Sequence, residues 1–381
     1  MSVNMGSVRL RSNGQYEGRL SYRDDDERSI RKSFYGPDEA AVLRKMKDAA
    51  KRIEADLTPT DSTMLAAAWL TMWTETILPS SNRKDTTKEL YRTLTRTHLV
   101  GSSLAGMRLG KIRPSHVETL VRELAAKGLS QSSVRSVYTV LRSALDGAVR
   151  DGLLGLNPAA RVDRPSVTRH EARHLSGSEV RAIVEAAASS RYQPARALIA
   201  STGMRRGEAL ALGWEHIDFT KRLVKVRGTL SRVNGSLIIT EPKTANSRRD
   251  IVLTDGMVKM LTRHGTVQKA ERLRAGNQWI QTGLVFTSEL GTAVDPRNLL
   301  RVFCQAAKSA GIENVGLHTL RHSAATAMLD AGVPLHVVSR ILGHSSVAIT
   351  GDVYGHLVDS TQADAMDRLS SALDLHQGFS A

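Results

Sequence analysis

The chain has 381 residues, 53 of them Lys or Arg against 38 Asp or Glu, for a formal net charge of +15 at pH 7. A hydrophobic share of 41% can fill a buried core, which excludes a disordered chain, and no run of about eighteen apolar residues offers a membrane span. Cys304 is the only cysteine, which excludes an intramolecular disulfide and a multi-cysteine zinc site, and the basic balance favours a polyanionic partner, nucleic acid being the commonest.

The first residues, MSVNMGSVRLRS, lack the apolar stretch of a secretory signal, so a protein of a reducing cytoplasm is expected. Residues 6–35 alternate in strand fashion. Val8 and Leu10 alternate with Ser7, Arg9 and Arg11, and Asn13-Gly14 is a hairpin signal. A second turn is expected at Asp24–Glu27 and a third strand around Ile30–Phe34. Pro37 then opens a helical pattern that sets Ala40, Leu43, Met46, Ala50 and Ile53 on one face. The reading is a β-β-β-α module over 1–56. Arg9, Arg11, Arg19 and Arg23 lie in or beside its strands, where several can point outward together, as a sheet entering a DNA groove requires. Small β-rich modules also bind proteins, and the charge of this one is nearly balanced.

Residues 57–62, LTPTDS, read as a linker ending in a helix cap. From Thr63 to Leu156 the pattern is helical. Leu65, Trp69, Leu70 and Trp73 make one stripe, Val117, Leu120, Val121 and Leu124 a second, and Val134, Val137, Leu141 and Leu145 a third. Four or five short helices are expected over 63–160. Asn157–Val167, with Pro158 and Pro165, reads as a second linker. From about Leu175, Ser176-Gly-Ser-Glu179 has capping-box spacing and helices follow to Leu212. Strands are expected at Leu223–Val226, Leu237–Thr240 and Asp250–Leu253, with Asn234-Gly235 turning between the first two. Helical pattern returns near Asp255, interrupted by a short strand at Leu284–Phe286. Gly332 and Gly343 sit as helix C-terminal caps.

This last region holds the residues that carry chemistry. They are Thr202-Gly-Met-Arg205-Arg-Gly-Glu208, Pro242-Lys243-Thr with Ser247 and Arg248-Arg249 just beyond, His318-Thr-Leu-Arg321, Leu342-Gly-His344-Ser-Ser and Tyr354. Each fragment is weak alone. Together they supply what metal-free phosphodiester cleavage needs. Two guanidiniums can clamp the non-bridging oxygens as charge grows on them. Histidines can donate a hydrogen bond or take a proton, a phenol oxygen can attack phosphorus, and a lysine can protonate the departing oxygen. His318 and His322 are spaced like a metal pair. No glutamate follows the first and no third ligand is evident, so no metal or other cofactor is expected.

In these boxes the chain resembles the tyrosine recombinase (phage integrase) family, whose catalytic domain is similar to residues 175–366. The 63–160 region is similar to that family's core-type DNA-binding domain, and 1–56 to its arm-type module; 367–381 is a C-terminal tail. The fold implied is mainly α with small β elements, ending in a mixed α+β catalytic domain. The resemblance implies a site-specific recombinase that integrates or excises phage or mobile-element DNA through a 3′-phosphotyrosine and a Holliday junction. Arg205 and Arg321 would clamp the phosphate, Lys243 would protonate the 5′ oxygen, and His344 would donate to the phosphate. His318 would act as base or phosphate donor, Tyr354 as nucleophile and Glu208 as support. Arg206 stands beside Arg205, and the acidic residue's spacing favours Arg205. Implied partners are double-stranded DNA at core and arm attachment sites and three further copies, making a homotetramer on two duplexes. A directionality factor and a host DNA-bending protein are candidate accessories, no membrane partner is expected, and the setting is the bacterial cytoplasm at the nucleoid. Ser360–Leu375 carries Ala363, Met366, Leu369 and Leu373 at helical spacing, and would dock on a neighbour or on its own domain.

Overall fold

The computed structural model describes residues 3–23, 29–54, 63–168, 173–186, 188–241, 247–354 and 369, but not the side chains of Ile349, Asp352, Val353 and Tyr354. The turn expected at Asp24–Glu27, the linker expected at 57–62, Lys243 and, apart from Leu369, the helix expected at 360–375 lie outside the described residues. The chain divides into two compact units, 1–169 and 170–381. Among the described residues no helix is long and apolar enough to cross a membrane.

The first unit opens with β1 (Val3–Leu10), β2 (Tyr16–Arg23) and β3 (Ser29–Gly36), an antiparallel sheet in the order β1-β2-β3, followed by α1 (Glu39–Glu54). Leu20 and Phe34 on one sheet face are buried with Val42, Met46, Ala49, Ala50 and Ile53 of the helix. Val42 and Ala49 take the core positions expected for Leu43 and Ala40, and Ala40 is exposed. The cause lies in two strand glycines. A Cβ on Gly18 would run into Met46 Sδ and meet Val42 Cγ1 at 2.7 Å, and one on Gly36 would meet Val42 Cγ2 at 3.0 Å. The missing side chains leave the space that Val42 fills, which rotates the buried stripe.

Four helical segments follow. They are α2 (Ala66–Met72), running on as a π-turn to Ile77, and α3 (Asp85–Leu94), running on to Leu99, then α4 (Pro114–Ala126) and α5 (Gln131–Arg150). Trp69, Trp73, Leu120, Val137 and Leu141 are buried in one core, and Gly147 lets the indole of Trp73 approach its backbone. Leu65 is 46% exposed and stands outside that core. The expected linker at Asn157–Val167 begins inside the helical core: the Tyr138 hydroxyl donates to the carbonyls of Ala159 at 2.7 Å and Val162 at 2.9 Å, and Ala159 is fully buried.

The second unit begins with α6 (Gly177–Glu185), capped reciprocally by Ser176 and Glu179. Next come α7 (Gln193–Thr202) and α8 (Arg206–Leu210), and strands β4 (Ile217–Asp218), β5 (Leu223–Val226), β6 (Thr229–Val233), β7 (Ser236–Thr240) and β8 (Arg249–Val252). β4, β5 and β8 form one sheet, and β6 and β7 a separate hairpin. The Asn234-Gly235 turn has positive φ at both residues (48° and 79°), the geometry a two-residue hairpin favours, but it joins β7 to β6, a strand the sequence reading omits. Leu284–Phe286 forms no strand. It makes a single bridge from Leu284 to Gly213, bracketed by backbone bonds Trp214–Gly283 and Val285–Leu212. Helices α9 (Asp255–Ala275), α10 (Pro296–Ser309), α11 (Leu317–Asp330), α12 (Leu335–Leu342) and α13 (Val347–Tyr354) complete the unit. Leu198, Ile199, Leu210, Val224, Leu261, Phe303 and Leu320 are among its buried core.

Candidate active site

The last carbonyls of an α-helix have no partner within it, and they sit at the negative end of its dipole, so they attract cationic donors. At the end of α12 three consecutive carbonyls are each taken by a different arginine. Arg249 Nε donates to Ile341, Arg321 Nη2 to Leu342 at 2.8 Å, and Arg205 Nη2 to Gly343 at 3.1 Å. The arginines come from β8, α11 and the N-cap of α8. Gly343 ends α12 in the left-handed region (φ +67°), and His344 follows immediately. Arg321 is 3% exposed and also donates to the carbonyl of Gly203.

One carboxylate ties two of these arginines together. Glu208, 5% exposed, accepts from Arg205 Nη1 at 2.8 Å and from the Arg205 backbone N–H at 2.9 Å. It also accepts from Arg249 Nη2 at 2.8 Å and Nη1 at 3.3 Å. Burial opposes its ionisation, but these bonds from Arg249 and Arg205 prevail and hold its pKa below the ordinary carboxylate value. Glu208 is therefore an anion at neutral pH, and Arg205 keeps a side chain 38% open to solvent.

Both expected histidines feel the same cations. Burial first, then the charges of Arg321, Arg205, Arg249 and His322, lower the pKa of His344 to about 4. Burial of part of the His318 ring, then His322, Arg321, Arg205 and Arg206, lower that of His318. Both imidazoles are neutral at pH 7. The His318 and His322 rings meet edge to face, 5.0 Å between centroids. His344 Nδ1 lies 2.7 Å from the hydroxyl of Thr350, which is fully buried in α13. When that hydroxyl donates, the imidazole proton sits on Nε2 and is free to be given to a ligand.

Arg205, Arg206, Arg232 and His318 line a cleft of about 590 Å³. Arg232 pairs with Asp295 at 2.5 Å on its wall. Arg205, Glu208, His318, Arg321 and His344 are thus gathered around α12 and the cleft. Lys243 lies outside the described residues, and Tyr354 is described only in its backbone, as the last residue of α13, which packs against α12. The sequence reading places Arg249 just beyond the Lys243 fragment but gives it no role, and it does not single out Thr350. Arg249 stands next to Arg248 and looks like one more surface cation in a basic stretch. Among the described residues no three His, Cys, Asp or Glu side chains gather as a metal site.

In the first unit, Arg9, Arg11 and Arg19 converge on Glu17, at 3.0, 3.5 and 3.2 Å. Arg11 also lies over the ring of Tyr35, and Arg23 is exposed at the end of the same strand as Arg19.

A family model described as Phage integrase family matches residues 173–361. The XerC-like tyrosine recombinase of Caldanaerobacter subterraneus subsp. tengcongensis is 29% identical over 369 residues, covering 91% of this chain and 93% of that protein. An integrase of Streptomyces ambofaciens is 32% identical over 272 residues, covering 66% and 67%. Among solved structures, a lambda integrase tetramer bound to a Holliday junction superposes with a TM-score of 0.60 at 18% identity, covering 91% of this chain and 94% of that one.

Proposed function

This chain belongs to the phage integrase family of tyrosine-type site-specific recombinases, and on that premise we propose that the cluster at the end of α12 is its strand-cleavage site. Arg205 and Arg321 clamp the non-bridging oxygens of the scissile phosphate, and His344 donates its Nε2 proton to the same group. The Tyr354 oxygen attacks phosphorus in line, forming the phosphotyrosine bond as the bond to the 5′ oxygen breaks. His318, neutral at pH 7, accepts the tyrosine proton or donates to the phosphate, and Lys243 protonates the departing 5′ oxygen. Bond energy is kept in the phosphotyrosine, so rejoining to a partner strand's 5′-hydroxyl needs no cofactor. Glu208 holds Arg205 in place.

The observation that carries this reading is the shared end of α12. One helix terminus collects Arg205 and Arg321 and presents His344 as its next residue. For the rest of the chain the proposal assigns 63–160 and 175–366 to the core DNA site and 1–56 to arm sites. Four copies act on two duplexes through a four-way junction, a reading supported by the likeness in fold to a lambda integrase tetramer bound to a Holliday junction. The tail, 367–381, would dock within or between protomers, a directionality factor and a DNA-bending protein are the accessory partners expected, and the work is done at the bacterial nucleoid. The test is a nicked duplex carrying the attachment core, on which cleavage traps the protein covalently. Tyr354→Phe should retain binding and lose the adduct; an adduct that survives refutes the assignment.

A further inference from the structure

Arg249 has no role in the scheme above, yet all three of its guanidinium nitrogens are engaged within the cluster. It is 7% exposed. Its two terminal nitrogens hold both oxygens of Glu208, its Nε holds the carbonyl of Ile341, and Nη1 also reaches the carbonyl of Ser247 at 3.3 Å. Gly343 closes over it: a Cβ there would lie 2.8 Å from Arg249 Nη1. The consequence is mechanical. Glu208 is gripped on one side by Arg249 and on the other grips Arg205 through both its side chain and its backbone N–H. The turn gripped by the Arg249 Nε is the one that carries His344.

We propose that Arg249 is a positioning residue for strand cleavage, which never touches DNA but sets the guanidinium of Arg205 through Glu208 and the imidazole of His344 through the α12 terminus. Only arginine suits the place. Its planar fork serves a carboxylate with two parallel bonds and leaves Nε to reach a carbonyl in another direction, whereas the single nitrogen of lysine cannot span both. The inference rests on the reading of Arg205 as a phosphate ligand.

The test uses the full chain and Arg249→Lys, on two nicked suicide duplexes identical except at the scissile position. One carries the ordinary phosphodiester. The other carries a methylphosphonate, in which a methyl group replaces one non-bridging oxygen and removes the charge that the arginine clamp opposes. On the phosphodiester, single-turnover cleavage should fall by roughly thirtyfold, with duplex binding within about twofold of wild type, as for a misplaced oxyanion donor. On the methylphosphonate the loss should shrink to about threefold or less, because a misaligned clamp matters little to a neutral group. A purely structural defect lowers both rates by one factor, and that result, or a wild-type rate on the phosphodiester, overturns the inference. If Arg249→Lys fails to fold, Glu208→Asp breaks the same relay from the other side by withdrawing the carboxylate. It must show the same substrate-selective loss, and a uniform loss overturns the inference equally. Arg205→Ala serves as the control. If it shows no such selectivity, the reading of Arg205 fails; if it does and Arg249→Lys does not, only the role of Arg249 fails.

Discussion

The guanidinium of Arg321 donates to the carbonyl of Gly203 at 2.8 Å, joining two motifs that lie 118 residues apart. That carbonyl is available because Gly203 ends α7 in the left-handed region, with φ at +65°, and turns the chain into the Met204-Arg205 stretch. The site is also tight, since a Cβ on Gly203 would sit 2.5 Å from Leu342 Cδ2. Gly203→Ala therefore combines a strained backbone with a clash in the packing under α12. The expected loss is about 2–4 kcal/mol, seen as a lower urea midpoint at unchanged slope. A midpoint within error of wild type would mean that the turn is not held as described.

Arg205 and Arg206 are neighbours with different attachments. The Arg205 guanidinium is shared between Glu208 and the Gly343 carbonyl at the α12 terminus. Arg206 is half-buried at the cleft and feels the charge of Asp295. Arg205→Ala should lower single-turnover adduct formation by about a hundredfold or more, the cost of one oxyanion donor, and Arg206→Ala by less than about tenfold. The opposite order would move the phosphate clamp to Arg206.

His344 sets a sign for the pH dependence of stability. Its pKa is lowered from 6.5 to about 4 in the folded chain, by burial and then by Arg321, Arg205 and Arg249. Between those two values the unfolded chain binds the proton and the folded chain refuses it. Stability is therefore complete above pH 6.5 and is lost as pH falls toward 4. Allowing for solvent screening, the loss is on the order of 2 kcal/mol. His318 and His322 are shifted in the same direction, so they add to the slope. His344→Gln should reduce the fall in urea midpoint between pH 7 and pH 4.5 without abolishing it. An unchanged fall would show that His344 is not shielded from protons.

The family was legible because its boxes combine residue types with fixed order, and the capping box at Ser176 and the Asn234-Gly235 turn because their local chemistry dictates a geometry. The attachments of Arg249 were not legible, although the residue stands just beyond the Lys243 fragment. Its place depends on Glu208, about forty positions earlier, and the end of α12, some ninety positions later, meeting at one guanidinium, and nothing near Arg249 in sequence records that. Strand β6 was missed for a related reason. Leu230 and Val233 are its buried residues, with Ser231 and Arg232 between them, so it breaks strict alternation and resembles a loop until its partner β7 is placed. The α1 stripe was displaced because an absence of side chain, at Gly18 and Gly36, decided which helix face could approach.

On the N-terminal sheet, Arg9, Glu17 and Tyr35 lie opposite one another across three strands, and alternation puts Arg11 and Arg19 on the same face. Glu17 is almost fully buried, and its bonds to Arg9 and Arg19 outweigh burial and bring its pKa down to about 2, so it stays charged at any pH at which DNA is bound. One anion thus fixes three cations, and a positive surplus remains on an open face: the arginine side chains are 60%, 46% and 45% exposed. An array held this way loses little freedom when it meets phosphates. If it does so, replacing Arg9 and Arg19 together by alanine removes two phosphate contacts. The slope of log binding constant against log salt on a mixed-sequence duplex should then flatten by about 0.9 for each, roughly 2 in all. Because that slope counts the counterions displaced, a general weakening from a damaged fold leaves it unchanged when the other contacts persist. A double variant with the wild-type slope would place this sheet off the DNA and leave its arginines to a protein partner.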